Sequence, residues 1–418
     1  MPSVRQRRKE RKKFALQAKV EELEAQNNKM AMKNKILQEQ YEKLFEMLHE
    51  ARQTQSHNFI APVNAPRTSE QAKGLVSGQI TTVVVSSSTV EKKELIADVN
   101  ESVVKGKVVI IERAALKTTL NLLSRTVFSI DLADPSSEMG GEFKEIVWGL
   151  MEEAGKPNLG DYFPLLRKLD PQGIRGRMIK HFLKIDSLFD RMITQRLELR
   201  KSNDDVTNND MLDSLLNIGE GSNEDMDKFL VEHLLQSLFI AGTDTTSTTL
   251  EWAMAELLRN PEKLLKAQEE LDQVIGKGKP VEESDIARLP YLQAIIKETL
   301  RLHPAAPLLL PRKAKHDIDP CVGDNPTSFA PERFFRLDDQ IDVLGKNFEL
   351  IPFGGGGRIC PGLPLAMRML HLILGSLINS FIWKLEDGVI SENMNMEEKF
   401  GLTLRMAHPL RAMPKVLI

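Results

Sequence analysis

Residues 353–362 read FGGGGRICPG: four glycines, an arginine, and then Cys360, one of two cysteines in the chain. Glycine runs weaken helices and strands, so this one marks a place where the backbone must lie unusually close to something. The residues that follow, PGLPLAMRMLHLILGSLI, have the apolar spacing of a helix. A cysteine just before that helix sits near its positive end, where backbone N–H groups can stabilise a thiolate. Glycines also let a flat cofactor rest on the chain without a Cβ in the way, and Arg358 can pair with an anionic substituent of it. Alone, a single cysteine is more often a small buried hydrophobe. Loop, arginine and helix together instead point to a haem whose iron is bound by Cys360.

Three further motifs accompany this loop in order: AGTDTT (241–246), KETLR with Glu298 and Arg301, and PERF with Arg333. Taken singly they are bland. TDTTSTT could be a polar helix face, and ETLR a surface i,i+3 ion pair of a few tenths of a kcal/mol. As a set they resemble the cytochrome P-450 family, whose haem-binding loop F-x-x-G-x-R-x-C-x-G is matched at Phe353, Gly356, Arg358, Cys360 and Gly362. The stretches LPYLQAIIKETLRLHPAAPLLLPR and MEEAGKPNLGDYFPLLRKLDPQG look most like plant microsomal terpenoid-alcohol (geraniol-type) hydroxylases.

The resemblance implies haem b with Cys360 as axial iron ligand, and Arg312 paired with a haem propionate. It implies a small Ala241–Gly242 step over the haem, and a proton relay through Asp244 and Thr245. Glu298, Arg301 and Arg333 would form a buried ion network on the cysteine side, costly to break by removing one partner. The implied reaction inserts one oxygen atom of O2 into a small apolar, terpenoid-like substrate. Electrons would come from NADPH through a reductase, and the implied location is the endoplasmic reticulum surface.

The elements that must position these groups read as mainly helical. The expected fold class is mainly α, a shortened P-450 helical fold with minor β, preceded by a long N-terminal coiled-coil-like helix. EFKEIVWGLMEEA (142–154) and IKHFLKIDSLFDRMITQRLELRK (179–201) carry helical apolar spacing, whereas the last third is richer in Pro and Gly and ends in short apolar runs. An apolar fraction of 41%, a charged fraction of 28% and a net charge of −3 describe an ordinary globular body with no global pull on nucleic acid. Neither Cys321 nor the eight histidines show ligand spacing. Two cysteines cannot make a disulfide framework, which points to a reducing compartment.

The first 50 residues differ. Arg5, Arg7, Arg8, Arg11 and Lys12 belong to a basic run, and Leu16, Leu23, Met30, Leu37 and Leu44 recur every seven residues. That pattern resembles a basic leucine zipper, with a parallel homodimer through residues 16–48 and phosphate contacts to DNA from the basic run. The expected domains are therefore a basic zipper at 1–50, a linker at 51–93, and a partial P-450 domain at 94–418. The family's membrane helix, proline-rich hinge and early helices are not found, and the stretch 312–334 is short around 319–321. An uninterrupted apolar run of about 18 residues, enough to span a membrane, does not occur. The alternative reading is a DNA-binding or scaffolding dimer carrying an inactive remnant, in the nucleus or cytoplasm.

Overall fold

The computed structural model describes residues 90–416, apart from 134–137, 155, 160–162, 164–168, 203–209, 222–227, 308, 310–324, 336–340, 348 and 400–402. The basic run, the heptad at 16–48, most of the 51–93 linker, Arg312 and Cys321 lie outside the described residues. The first helix, α1, spans 90–104. It begins inside the stretch expected to be linker, because two charged residues there find buried partners. Lys92 Nζ donates to the Val281 carbonyl at 2.5 Å, and Glu91 lies 2.9 Å from the Arg125 guanidinium. Leu95 and Val99 continue the same buried face.

A short strand β1 (Val109–Ile110) leads into α2 (Ile111–Phe128), followed by α3 (Glu138–Ala154), α4 (Ile174–Ser202) and α5 (Met211–Gly221). The central element is α6 (Lys228–Arg259), 32 residues long, or about 48 Å at 1.5 Å per residue. Four phenylalanines from α2, α3, α4 and α6 (Phe128, Phe143, Phe189, Phe239) pack edge-on or tilted, with ring centroids 5.4–6.3 Å apart. Those contacts fix the upper core.

Polar TDTTSTT can run through that core because four of its six hydroxyls bond to the helix's own carbonyls, that of Thr245 to Ala241 O. Thr243 donates to Phe239 O at 2.7 Å, and Ser247 and Thr249 donate to Thr243 O and Thr245 O at 2.9 Å. Such back-bonding leaves few buried donors unpaired.

Helices α7 (Pro261–Val274) and α8 (Pro290–Leu302) both open with a proline in the first turn, where its missing N–H costs nothing. Helix α9 (Leu363–Ser380) is long and apolar enough to cross a membrane, yet about two-thirds of it is buried inside the fold. It is a core helix. Strand β2 (Phe381–Leu385) pairs antiparallel with β5 (Arg411–Val416), and β1 adds to the other edge of β5. Pro414 is tolerated in that middle strand because β1 reaches only Arg411 and Ala412. A second small hairpin joins β3 (Glu398–Lys399) to β4 (Arg405–Met406). The architecture is thus mainly helical with minor strands, as the sequence patterning predicts.

Candidate functional site

The loop before α9 is closed by the Cys360 N–H, which donates to Phe353 O at 2.9 Å. Its glycines divide into two groups. Gly354 (φ 72°) and Gly355 lie against the backbone of Gly345, itself at φ 75°. A Cβ on Gly345 would come within 2.6 Å of Gly355 Cα and closer still to the Gly354 carbonyl. The close approach these residues allow is loop against loop. Gly356 (φ 64°) instead has nothing within 4 Å of where its Cβ would lie, and a Gly362 Cβ would meet the Cys360 sulfur at 3.7 Å. Cys360 itself is partly exposed. Arg358, two residues before the cysteine, is exposed, and the Phe353 ring is half-buried.

Two backbone N–H groups, of Gly362 and Leu363, act on the Cys360 thiol as the first turn of α9 begins. Burial pushes the thiol up from its ordinary range, and the two N–H groups pull it back only in part. A metal cation would reverse that balance and leave the sulfur as thiolate. Among the described residues no cluster of three His, Cys, Asp or Glu side chains could hold a metal ion. Among the described residues Cys360 is thus a lone donor, which suits a metal whose other ligands come from a macrocycle. The partly exposed thiol and the two sulfur-facing N–H groups fit a haem.

Glu298 of α8 is fully buried, 0% exposed. Its Oε2 accepts from Arg301 Nε at 2.7 Å, and its Oε1 accepts from Arg301 Nη2 (3.0 Å), Arg333 Nε (3.0 Å) and the Ala330 N–H (2.8 Å). The guanidiniums are capped in turn: Arg301 Nη1 donates to Pro326 O at 2.8 Å, and Arg333 Nη2 to Asn325 O at 3.1 Å. The structure brings all three residues together.

On α6 the side chains part company. Ala241 is exposed and Thr245, one turn on, is partly exposed. Gly242 does not widen that opening, because a Cβ there would lie 3.1 Å from Leu123 Cδ1 of α2. Its smallness serves helix packing. Thr245 Oγ1 donates to Ala241 O at 2.6 Å. Asp244, 2% exposed, accepts instead from the Thr403 hydroxyl and has Arg405 Nη1 3.7 Å from its Oδ1. The expected relay pair is adjacent in sequence, but its polar atoms are bonded to different partners.

Thr403 and Arg405 were not among the residues singled out from sequence. Their only signal is alternation along LTLRM, which puts both on one side of an extended chain. His303 and Glu256 also escaped notice: the His303 ring stacks on Trp252 at 4.0 Å, and its Nε2 meets Glu256 Oε1 at 2.8 Å.

Comparison with known proteins identifies the family. The profile of the family described as Cytochrome P450 matches residues 84–320 and 319–408, two segments that meet at Asp319–Pro320. The match begins ten residues before the expected start at 94. The chain is 53% identical to geraniol 8-hydroxylase of Swertia mussotii over 342 residues, 77% of this chain and 68% of that protein. It is 51% identical to geraniol 8-hydroxylase of Catharanthus roseus, covering 78% of this chain and 70% of that one. Drimenol monooxygenase of Persicaria hydropiper is 49% identical, with 78% and 69% covered. Residues 1–83 lie outside the family match.

Proposed function

The chain belongs to the cytochrome P450 family, and on that premise we propose that it hydroxylates a small apolar, terpenoid-like molecule with one oxygen atom of O2. It is a monooxygenase, an oxidoreductase whose cofactor is haem b. The observation that carries the reading is Cys360: a lone thiol with two N–H groups directed at it, beside a glycine whose missing Cβ faces open space. Support for the substrate class comes from relatives named for geraniol and drimenol, both terpenoid alcohols.

When bound, haem with a thiolate ligand supplies dioxygen activation, the sulfur's electron density favouring O–O cleavage. The chain's own residues do the rest. The N–H groups of Gly362 and Leu363 hold charge on the sulfur, and Arg358 and Arg312 would pair with the propionates, as the family motif implies. Ala241 leaves the α6 wall open, and Thr245 and Asp244 supply protons there. Glu298, Arg301 and Arg333 keep the loop's surroundings rigid. NADPH electrons arrive through a reductase, with the protein at the endoplasmic reticulum surface.

The test is the reduced carbon-monoxide difference spectrum of the purified chain. A red-shifted thiolate-type Soret band is expected, and Cys360→Ser abolishes it. A wild-type protein that takes up haem without that band would overturn the reading.

A further inference from the structure

Helix α6 grips the segment 398–410 through a row of polar contacts. Asp244 accepts the Thr403 hydroxyl, Trp252 Nε1 donates to Leu404 O at 3.3 Å, and Glu251 accepts the Leu410 N–H at 2.8 Å. The Leu404 N–H in turn donates to Ala305 O at 2.9 Å, just beyond α8. The β3–β4 hairpin therefore borders the stretch of α6 on which Ala241 and Thr245 are accessible.

One contact beside this row is unfinished. His303 is 7% exposed, and its ring lies flat on Trp252. Nε2 meets Glu256 Oε1 at 2.8 Å, while the other Glu256 oxygen accepts from Asn260 Nδ2 at 3.3 Å. A carboxylate that only accepts leaves the shared proton on Nε2. Nδ1 is buried without a hydrogen-bond partner and faces Glu398 Oε1 of β3 at 3.6 Å. In the neutral ring that is a lone pair against a carboxylate, which cannot bond. One more proton on Nδ1 makes the ring a donor on both sides, between two carboxylates. The Glu398 side chain is 46% exposed, so solvent reaches the pair from that side. Among the described residues no other carboxylate lies within 4 Å of the ring nitrogens. The neighbouring charges are engaged elsewhere: Arg301 with Glu298, Arg405 with Asp244 and His408 with Glu397. Lys399, next along β3, lies on the opposite side of the strand from Glu398.

We propose that His303 is a positioning residue that sets substrate fit through the hairpin. With a proton on Nδ1 it pulls Glu398 into a charge-assisted bond and clamps the hairpin on α6, and without that proton the hairpin is held more loosely. The inference rests on the monooxygenase reading and deepens it. The proton comes from a buffer acid, which leaves as its conjugate base, and deprotonation returns it. Histidine as a residue type changes charge between about pH 5 and 8, so substrate fit follows pH across that window.

The test uses the full-length, haem-loaded chain with reductase and a terpenoid alcohol it turns over, geraniol first. Wild-type KM is expected to rise roughly three- to fivefold from the acid to the alkaline end, the effect of one ion pair with a half-exposed partner. Glu398→Gln removes the charge and keeps the shape, so its KM stays high throughout. Its kcat and carbon-monoxide band match the wild type at each pH. His303→Gln can still donate to Glu256 and gives the same flat profile; should it not fold, the half-exposed Glu398 position decides alone. Glu251, pushed up to about 8 by burial, and His408 titrate in every one of these proteins, so the difference from wild type isolates the pair.

A second readout needs no turnover. Hydrogen exchange of the Leu404 N–H, corrected for the intrinsic effect of pH, slows by the same factor at the acid end in wild type and not in Glu398→Gln. Exchange or KM that follows pH identically in wild type and Glu398→Gln would overturn the proposal. A wild type without the thiolate band would remove the monooxygenase reading, while hydrogen exchange still decides whether His303 clamps the hairpin.

Discussion

Two buried carboxylates, Glu298 on α8 and Asp244 on α6, look alike by burial and differ in how they are held. Glu298 receives four hydrogen bonds at 2.7–3.0 Å from two guanidiniums and one backbone N–H. Asp244 receives one hydroxyl bond and a guanidinium at 3.7 Å. A saturated carboxylate fixes its neighbours and cannot move without stranding two buried cations. A lightly held one can change partner. The Glu298 network is therefore built to stay put, and the looser hold on Asp244 is what the proposed relay needs.

The sharpest way to break that contrast is to remove charge at Glu298. Glu298→Gln keeps the shape but turns an N–H2 toward guanidinium N–H groups and leaves Arg301 and Arg333 without their anion. Breaking a buried pair from one side costs about 3–5 kcal/mol. Urea or thermal unfolding should show a loss of that size, with haem uptake falling in parallel. A loss under about 1 kcal/mol would mean the network is far more solvated than the 0% exposure of Glu298 implies.

Next in size is a pH effect on the α6 side. Burial pushes Glu251 up from 4.5 to about 8, partly offset by the Leu410 N–H. Its neutral form favours the fold, so that contribution is complete below about pH 4.5 and is lost as pH rises to about 8. Glu251→Gln keeps the acceptor for Leu410 and cannot ionise. Relative to wild type, the variant should gain stability steadily across that window, by a few kcal/mol at its top. Glu91, also pushed up to about 8 by burial, titrates over the same range in both proteins. The difference between variant and wild type isolates Glu251, and a pH-independent difference would show that its carboxyl is solvated.

Smaller again is the loop contact. Gly345→Ala puts a methyl 2.6 Å from Gly355 Cα at a left-handed backbone position, φ 75°. Strain at such a site is of order 1–3 kcal/mol, and it should loosen the cysteine loop before it unfolds the core. Weaker haem retention with little change in denaturant midpoint is the expected pattern.

What could be read from the sequence follows the same division. Cys360, its glycines and the Glu298–Arg301 pair are local in sequence, so spacing alone reveals them. Arg333 comes from the next motif along the chain, PERF. Asp244's partners lie 159 residues away, on a two-stranded hairpin too short to announce itself by periodicity. Nothing in TDTT tells whether a carboxylate bonds its neighbour or a distant strand. Gly345 was invisible for the same reason: its need for no side chain is set by Gly354 and Gly355 across the loop. Gly242, adjacent to the exposed Ala241, is small because of Leu123 on another helix, and no local pattern separates those two demands.

The smallest expected effect is the most informative counterpart to Glu298→Gln. Asp244→Asn is the same acid-to-amide exchange at a carboxylate of similar burial. Its carbonyl oxygen can still accept the Thr403 hydroxyl, and the contact it forfeits is the loose one at 3.7 Å. Arg405 lines an open cleft, so water takes over the solvation of its guanidinium. Stability should change by less than about 1 kcal/mol, in the range of a partly exposed ion pair, with the carbon-monoxide band intact and coupling of electrons to product lost. If Asp244→Asn proved as costly to the fold as Glu298→Gln, the two carboxylates would share one structural role. The division between a fixed side and a moving side would then fail.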